Sequence, residues 1–236
     1  MNNFVKVDGG IFVRKGDYQA KQGLLFSEIT VKVDTFYIDD FVVAQDDWNQ
    51  VMGYNPSYFK SDSLPVECVG WHEAVLFCNK KSVKEGLTPC YSINGESVKC
   101  DFKMNGYRLP TEAEWEFAAM GGNKSKNYRY AGSNILGEVA WYSQNAKKTT
   151  HPRGQKLANE LGLYDMCGNV FEWCWDWWNK FDCDYMDNPT GPVTGTMKVV
   201  RGNNWVNGVS TSDLNRRVHR DVNAVTHHQG FRIAHT

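Results

Sequence analysis

The chain has 236 residues, a length that suits one large domain or two small ones, and a formal net charge of −1. This near-neutral balance gives no attraction to nucleic acid or to an anionic membrane. Hydrophobic residues at 42% and aromatic residues at 14% support a sizeable core, which excludes a disordered chain. No apolar run approaches the length that spans a bilayer. The start lacks the order of a signal peptide, so we expect either a cytoplasmic protein or one whose leader was removed.

The N-terminal part of the chain predicts short strands followed by a short helix. The runs Phe4–Val7 and Ile11–Val13, joined through two glycines, indicate an opening hairpin. The alternation over 29–38 is typical of a strand. The segment Gln45–Met52 predicts a helix, because two aspartates occupy its first turn and Gly53 follows its end.

Two further helices are predicted in the middle of the chain. The segment Trp71–Glu85 has one apolar face and is followed by a glycine, which is typical of an amphipathic helix. Thr111 and Glu114 form a capping box, which predicts a helix that ends near Met120. From there to Pro192 periodicity is absent and no long element is expected. We find no repeat and no linker, so we predict one α+β, loop-rich domain over 1–236.

The chain has seven cysteines, an odd number that leaves at least one thiol without a partner in the chain. We expect mainly buried free thiols. Cys90 and Cys100 flank Asn94-Gly95, a strong hairpin turn signal. Counting outward from that turn places Cys90 opposite Lys99, so a Cys90–Cys100 disulfide would need a bulge, and both states remain open.

The first dense motif runs from Gly106 to Glu116 and contains an arginine followed by three glutamates. Arg108 is placed to pair with a carboxylate of the helix. Glu112, Glu114 and Glu116 suit either general acids and metal ligands or a structural role. We expect the structural role, with two glutamates solvated and one paired with an arginine, because carboxylates are favoured in a first helical turn.

The second dense motif runs from Gly162 to Trp178. The carboxylates of Asp165 and Glu172, with the carbonyls of Gly168 and Val170, suit an oxygen-rich calcium shell. The alternative is that both carboxylates accept backbone amides in a buried turn. The tryptophans that follow indicate either a core anchor or an aromatic binding surface, and we expect the core.

The C-terminal part of the chain changes character. From Val206 to His228 there is no Lys, Glu, Gln, Met, Trp, Pro or Cys. Short polar and small apolar residues, with arginines and histidines, fill the stretch and favour contact with a partner over core packing. The chain contains no nucleophile elbow, zinc-protease helix or phosphate loop.

Taken together, these motifs resemble the formylglycine-generating-enzyme (sulfatase-modifying factor) family. The resemblance rests on Val7–Phe12, Gly53–Ser57, Pro65–Glu67, Arg108–Glu116, Gly162–Met166, Gly168–Val170 with Glu172-Trp173, Arg201-Gly202 and Gly230–Arg232. It covers nearly the whole chain in order. It implies a C-type-lectin-like fold with small twisted antiparallel sheets, two main helices and long loops. It also implies a structural calcium at Asp165, Gly168, Val170 and Glu172, with no other cofactor required.

The chain departs from this family at the catalytic cysteines. The oxidases use a copper-binding cysteine pair after an Arg-Gly-Gly-Ser motif, and the corresponding positions fall near Asn207 and Ser212. An amide and a hydroxyl do not replace two thiolates as ligands for Cu(I). We therefore expect no catalytic residue and no formylglycine production.

A second branch of the same fold resembles this chain better: the variable proteins diversified by retroelements, the treponemal ones above all. Adenine-directed mutagenesis of Asn codons that end in a pyrimidine cannot produce Lys, Glu, Gln, Met or Trp. This resemblance marks the C-terminal segment (203–228) as a variable ligand-binding region. It implies the framework residues Arg201, Trp205, Arg216, Arg220 and Arg232. It implies the ligand-binding residues Val206, Asn207, Asp213, Asn215, Arg217, His219, Asp221, Asn223, His227 and His228.

The function that we expect is therefore non-catalytic binding of a protein or glycan ligand by the C-terminal segment, with no nucleic-acid partner. Such a display protein is expected at the cell surface or otherwise outside the cytoplasm, with its leader removed. The alternatives are a catalytic or accessory sulfatase-modifying-factor-like protein without the copper cysteines, and a structural partner in a larger surface assembly.

Overall fold

The computed structural model describes residues 4–14, 28–180 and 185–236. Four helices lie in these ranges: α1 (Gln45–Met52), α2 (Trp71–Lys84), α3 (Glu112–Ala119) and α4 (Leu136–Val139). The strands of the first half are β1 (Phe4–Val7), β2 (Gly10–Arg14), β3 (Ile29–Val33), β4 (Phe36–Asp39), β5 (Tyr91–Asn94) and β6 (Ser97–Cys100). Those of the second half are β7 (Phe171–Trp177), β8 (Tyr185–Asp187), β9 (Met197–Arg201), β10 (Val218–Asp221), β11 (Gln229–Gly230) and β12 (Ala234–His235). No helix of the described ranges is long and apolar enough to cross a membrane.

The strands form small sheets with the orders β1-β4-β12, β2-β3-β8, β10-β9-β7-β11 and β5-β6. Most pairs are antiparallel, but β3 pairs with β8 and β7 pairs with β11 in parallel. The predicted opening hairpin is wrong, because β1 pairs with β4 whereas β2 pairs with β3 in another sheet. The predicted strand over 29–38 is likewise divided between these two sheets. The chain crosses from one sheet to the other at Gly9. A side chain there would overlap the Val33 carbonyl, so the crossing requires a glycine.

The sheet β10-β9-β7-β11 lies between two hydrophobic clusters. On β7 and β9, Cys174 and Val199 belong to one cluster, while their neighbours Trp173 and Val200 belong to the other. Side chains of a strand alternate between the two faces of its sheet, so both faces are buried here. Although Glu172 and Asp176 alternate with the aromatic residues of β7, a pattern typical of a strand with one polar face, both carboxylates are buried, so both faces of this strand are covered.

The predicted helices α1, α2 and α3 are confirmed. Gly53 ends α1 in the left-handed conformation with φ 82°, as the pattern indicates. The face of α2 that is predicted to be apolar is buried, and the Trp71 indole donates to the Cys174 carbonyl at 3.0 Å. The Thr111 hydroxyl accepts from the Glu114 amide at 3.2 Å and caps α3.

Most of the tryptophan cluster serves the core. Trp173 is fully buried. The Lys198 ammonium lies against the rings of Trp71 and Trp177, 3.9 and 3.8 Å from their centroids, and donates to the Trp175 carbonyl at 2.7 Å. This cation–π contact joins α2 to the central sheet.

The six cysteines of the described ranges are free, including Cys90 and Cys100. The predicted register of the β5–β6 hairpin is wrong by one residue on each strand. Asn94 pairs with Ser97, so the turn residues are Gly95 and Glu96, and Cys100 lies opposite Tyr91. Cys183, which was also expected to be a buried thiol, lies outside the described residues.

Candidate functional site

The C-terminal segment is fixed to α3 by a buried carboxylate, Glu112. Arg201 Nη1 donates to Glu112 at 2.8 Å, and Arg217 donates to both Glu112 oxygens at 2.6 and 2.8 Å. Burial alone would raise the pKa of Glu112, but Arg217, Arg14 and Arg201 hold it well below its usual range. One helix residue therefore fixes two points of the chain, one on each side of residues 202–216.

All three glutamates of the first dense motif pair with arginines, so the expectation that two are solvated is wrong. The two carboxylate oxygens of Glu114 accept hydrogen bonds from the two terminal guanidinium nitrogens of Arg108, each at 2.7 Å. The carboxylate of Glu116 lies 2.8 Å from Arg14 and 3.1 Å from Arg201. The structural role is thus observed for the motif, and the pairing of Arg108 with a helix carboxylate is confirmed.

A second buried pair fixes the end of the segment. Arg232 donates to both Glu172 oxygens, at 2.6 and 2.8 Å, and to the Tyr164 carbonyl at 2.8 Å. The Trp115 indole of α3 also donates to Glu172, at 2.7 Å. Because α3 contacts both Glu172 and Arg201, the two ends of the C-terminal part of the chain share one support.

The expected calcium site does not fit this arrangement. Both Glu172 oxygens accept hydrogen bonds from Arg232, and one of them also accepts from Trp115, so an ion there would compete with a guanidinium. The Asp165 carboxylate instead accepts the Gly154 amide at 2.8 Å. Burial raises the pKa of Asp165 to about 6. For Asp165 the turn alternative is observed, whereas Glu172 belongs to the ion pair with Arg232.

The segment begins with a buried turn around Trp205. Asn204 accepts the amides of Val206 and Asn207 at 2.9 and 3.0 Å, and the Asn203 amide group donates to the Ser212 hydroxyl. The Trp205 indole donates to the His227 carbonyl at 3.0 Å. Asn203 and Asn204 are buried and therefore organise the segment rather than contact a ligand.

Asn207 and Ser212, the positions that the resemblance relates to the copper-binding cysteines of the oxidases, carry no thiol. The Asn207 carbonyl accepts the Ser143 amide at 3.0 Å, and the buried Ser212 hydroxyl donates to the Gly208 carbonyl at 3.0 Å. The side-chain amide of Asn207 and the hydroxyl of Ser212 do not supply the soft ligands that Cu(I) requires.

Half of the predicted ligand-binding residues lie at the ends of the segment or on its exposed final stretch. Val206, Asp221, Asn223 and His227 are exposed, and Asn207 is half-buried. The Asp221 carboxylate accepts the Asn223 amide at 2.9 Å, which shapes the turn after β10. These five side chains, with their fixed backbone, can contact a ligand.

The other predicted ligand-binding residues are partly or fully buried and contact other side chains of the protein. Asp213 and Asn215 are half-buried beside a groove, and Arg129 donates to Asp213 at 2.7 Å. His219 packs on the Trp178 ring at 4.5 Å. Burial, with His227 and Arg220 nearby, lowers the pKa of the half-buried His228 to about 4, so it is neutral at physiological pH.

The resemblance implies ligand binding for Arg217 and a framework role for Arg216, but their burial does not follow this division. Arg217 is 5% exposed and pairs with Glu112, whereas Arg216 is half-exposed. Arg220 is also half-exposed, over the Phe171 ring at 5.6 Å. Arg201, Trp205 and Arg232 are buried as framework residues should be.

Two aromatic residues next to the segment were missed. The Tyr58 ring lies 5.6 Å from His227, and Phe59 lies 5.6 Å from Trp205. Both belong to the loop between Pro56 and Pro65, over 100 residues away in sequence. An aromatic pair in a loop rich in small polar residues was the only available signal.

Comparison with known proteins agrees with this architecture. A family model for the sulfatase-modifying factor enzyme 1-like domain matches residues 1–236. The chain belongs to this family. The fold is accordingly the α+β, C-type-lectin-like fold of the formylglycine-generating-enzyme type, which confirms the prediction.

Individual members of the family that resemble this chain carry different names. A protein from Paenibacillus barcinonensis named chaperone protein LppX is 39% identical over 98% of this chain and 89% of its own length. The formylglycine-generating enzyme of Thermomonospora curvata is 35% identical over 79% of this chain and 60% of its own length. The solved structure of Treponema denticola variable protein 1 superposes with a TM-score of 0.90 at 31% identity, over 99% of this chain and 95% of that one.

Proposed function

We propose that this protein is a non-catalytic, displayed binding protein whose C-terminal segment contacts a protein or glycan ligand and is diversified by a retroelement. The observation that carries the proposal is that buried and exposed residues have separate roles within the C-terminal segment. Buried residues (Arg201, Asn204, Trp205, Arg217 and Arg232) fix its path, while Val206, Asp221, Asn223 and His227 between them are exposed to solvent. A scaffold that is already rigid can exchange exposed side chains without refolding.

The likeness to a variable protein supports the same proposal. The superposition on Treponema denticola variable protein 1 covers nearly all of both chains. The absence of both cysteines at Asn207 and Ser212 supports the non-catalytic part, because the oxidase relatives need a thiolate pair there.

The genomic neighbourhood tests diversification. We expect a near-copy of the 3′ end of the gene close by, with Asn codons at the sites of the exposed residues, together with a reverse transcriptase gene. A neighbourhood that contains neither would overturn this part of the proposal.

Binding is tested by screening the protein against glycan arrays and against libraries of displayed proteins. We expect the double variant Asp221→Ala, Asn223→Ala to lose binding. The matched double variant Ser92→Ala, Lys99→Ala changes exposed residues of the β5–β6 hairpin and should retain it. Equal binding by both variants would contradict the assignment of the segment.

An accessory role is the second candidate, because the chaperone LppX matches this chain over nearly the full length of both. A chaperone binds unfolded chains, so it should suppress the aggregation of chemically unfolded lysozyme. Suppression that survives the Asp221→Ala, Asn223→Ala change would favour the accessory role over the display role.

A further inference from the structure

Two arginines of the C-terminal segment differ from the other arginines of the chain in having no carboxylate partner. Arg216 and Arg220 form no ion pair with any Glu or Asp of the described residues. Every other arginine forms one, namely Arg14, Arg108, Arg129, Arg153, Arg201, Arg217 and Arg232. Since guanidinium groups bind carboxylates readily, the two remaining arginines can bind a carboxylate from outside the chain.

Arg216 and Arg220 lie in the same part of the surface. Arg216 precedes β10 and Arg220 lies on it, and both are half-exposed. Burial, together with the nearby charge of Arg216, lowers the pKa of Arg220. The Arg220 guanidinium lies 5.6 Å from the centroid of the Phe171 ring and donates to the His219 carbonyl at 3.1 Å. Two guanidinium charges that are close together and partly removed from water repel one another, and a bound anion relieves that repulsion.

These arginines and their neighbour His228 have nitrogen atoms without a hydrogen-bond partner. Within the described part of the chain, the buried Arg216 Nε has none, and neither does the His228 Nδ1. The Arg220 side chain donates to the His219 carbonyl alone in these ranges. Burial, then the charges of His227 and Arg220, lower the pKa of His228 to about 4, which places Arg220 close to this neutral ring. A carboxylate accepts several hydrogen bonds, so it would complete donors that otherwise lack partners.

The acidic side chains nearest to these arginines along the chain are directed elsewhere. The Asp213 carboxylate accepts from Arg129 at 2.7 Å, and that of Asp221 accepts the Asn223 amide at 2.9 Å. Asp221 follows Arg220 directly on β10, so the two side chains lie on opposite faces of the strand. The positive charge of the arginine pair is therefore not neutralised from within the segment.

Lys198, which lies opposite Arg220 on β9, adds no donor to this site. Its side chain is fully buried, and its ammonium donates to the Trp175 carbonyl at 2.7 Å and lies against tryptophan rings. The site thus consists of two guanidinium groups and the neutral imidazole of His228.

We propose that Arg216 and Arg220 form an anion-binding site of the ligand surface, and that the ligand is a protein whose Asp or Glu side chain binds there. This rests on the proposed function. Guanidinium groups hold a carboxylate through paired N–H donors, as they do in the ion pairs of this fold. A sulfated glycan carries many charges and needs a row of cations, whereas the exposed neighbour of this pair is the carboxylate of Asp221, which would repel it. A single acidic side chain matches the charge of the site better.

Selection of random displayed peptides on the wild-type protein, followed by affinity measurements, tests this inference. We expect the selected peptides to share an Asp or Glu, and the double variant Arg216→Gln, Arg220→Gln to bind them about tenfold more weakly or worse. The matched double variant Lys80→Gln, Lys84→Gln removes the same charge from exposed positions with the same spacing on α2, and it should bind as the wild type does.

Changing the peptide provides a second measurement that does not depend on how the variants fold. Replacing its shared Asp or Glu by Asn or Gln should weaken binding to the wild type by a similar factor. The same replacement should cause little further loss with the arginine variant, because the two groups act as a pair. Fully additive losses, or selected peptides without an acidic residue, would overturn the site.

The outcomes separate failure of this inference from failure of the proposed function. If Asp221→Ala, Asn223→Ala weakens binding while the arginine variant does not, the anion site is overturned and the proposed function stands. If the arginine variant alone weakens binding, the anion site stands, and contact of the ligand with the exposed residues is overturned. Equal binding by all variants overturns both. A selection that yields no binding peptide, or arginine-dependent binding of a sulfated or sialylated glycan, would overturn the protein ligand.

Discussion

At the scale of single residues, Glu112 fixes the C-terminal part of the chain at two points, Arg201 and Arg217. Its carboxylate is buried, and it accepts hydrogen bonds from Arg201 and Arg217. A buried carboxylate needs such partners, because removing one leaves an uncompensated charge in a low-dielectric interior. The two arginines are therefore required by the fold and are not available to bind a ligand.

The difference in burial between Arg216 and Arg217 gives a paired prediction. Arg217→Met should lower the free energy of unfolding by about 2–3 kcal/mol, because Glu112 stays buried with one arginine fewer. Arg216→Met, one residue away and half-exposed, should change it by less than about 0.5 kcal/mol. Urea unfolding of both variants measures the difference. Equal effects would contradict the observed pairing.

Asp165 gives a prediction about pH. Its pKa is raised from 3.8 to about 6, so the native state keeps a proton that the unfolded state loses, and stability from this group falls as pH rises from about 4 to 6. Asp165→Asn keeps an acceptor for Gly154 and suits the left-handed backbone, φ 60°. The variant should gain stability relative to wild type over this pH range and hold the gain above it.

Thermal unfolding from pH 4 to 8 measures that difference. If the stability difference between the variant and the wild type does not vary with pH, the pKa of Asp165 is the same in the native and unfolded states, and the prediction is wrong. Adding calcium at pH 7 provides the matching control for the site expected at Asp165 and Glu172. Selective stabilisation of the wild type by calcium would restore that site, whereas equal responses would agree with the pairing of Glu172 and Arg232.

From the sequence, the residue types of the buried arginine–glutamate pairs can be predicted, but not which arginine pairs with which glutamate. Arg108 and Glu114 are close in sequence and share a capping motif, so local reasoning identified them. Arg216 and Arg217 are adjacent and chemically identical, and only the direction of each side chain decides which one reaches Glu112. That direction depends on how the chain enters β10, for which the sequence carries no local signal.

At the scale of elements, the sequence predicts helices better than strand pairing. The segments α1 and α3 have capping or terminating residues, and α2 has a periodic apolar face followed by a glycine, all of which are local signals. Strand partners lie far apart in sequence: β4 pairs with β1 and β12, and β9 pairs with β7 and β10. The Gly9-Gly10 pair predicts a hairpin turn but lies where the chain crosses between two sheets, because turns and sheet crossings both use glycine.

Gly230 shows how one element excludes a side chain. A methyl group at this position of β11 would overlap the carbonyl oxygen of Val66. Gly230→Ala should therefore lower the free energy of unfolding by about 2 kcal/mol or more. Gly137→Ala is the matched control, because α4 leaves open space there and alanine favours a helix by about 0.5–1 kcal/mol. Denaturant unfolding that gave both variants the same sign would contradict this packing.

At the scale of the whole molecule, the C-terminal segment contains two kinds of residue: buried residues that hold the fold and exposed residues that face solvent. The triple variant Val206→Ala, Asn223→Ala, Val225→Ala changes three exposed positions and should shift Tm by only a few degrees. Asn204→Ala changes one buried residue and leaves two backbone amides without their acceptor, so it should shift Tm further. A larger loss for the triple variant, measured by calorimetry, would contradict this separation.

The attachment of Arg201 and Arg217 to one carboxylate has a consequence for length as well as for sequence. Residues 202–216 form a loop whose two ends are fixed at nearly the same place on α3. Doubling the length of a flexible loop costs only about 0.6 kcal/mol in closure entropy. Residues inserted at the exposed Val209 and Ser210 would therefore cost little as long as Glu112, both arginines and the buried turn around Trp205 are kept, so that this fold can change the size of the surface it presents as well as its chemistry.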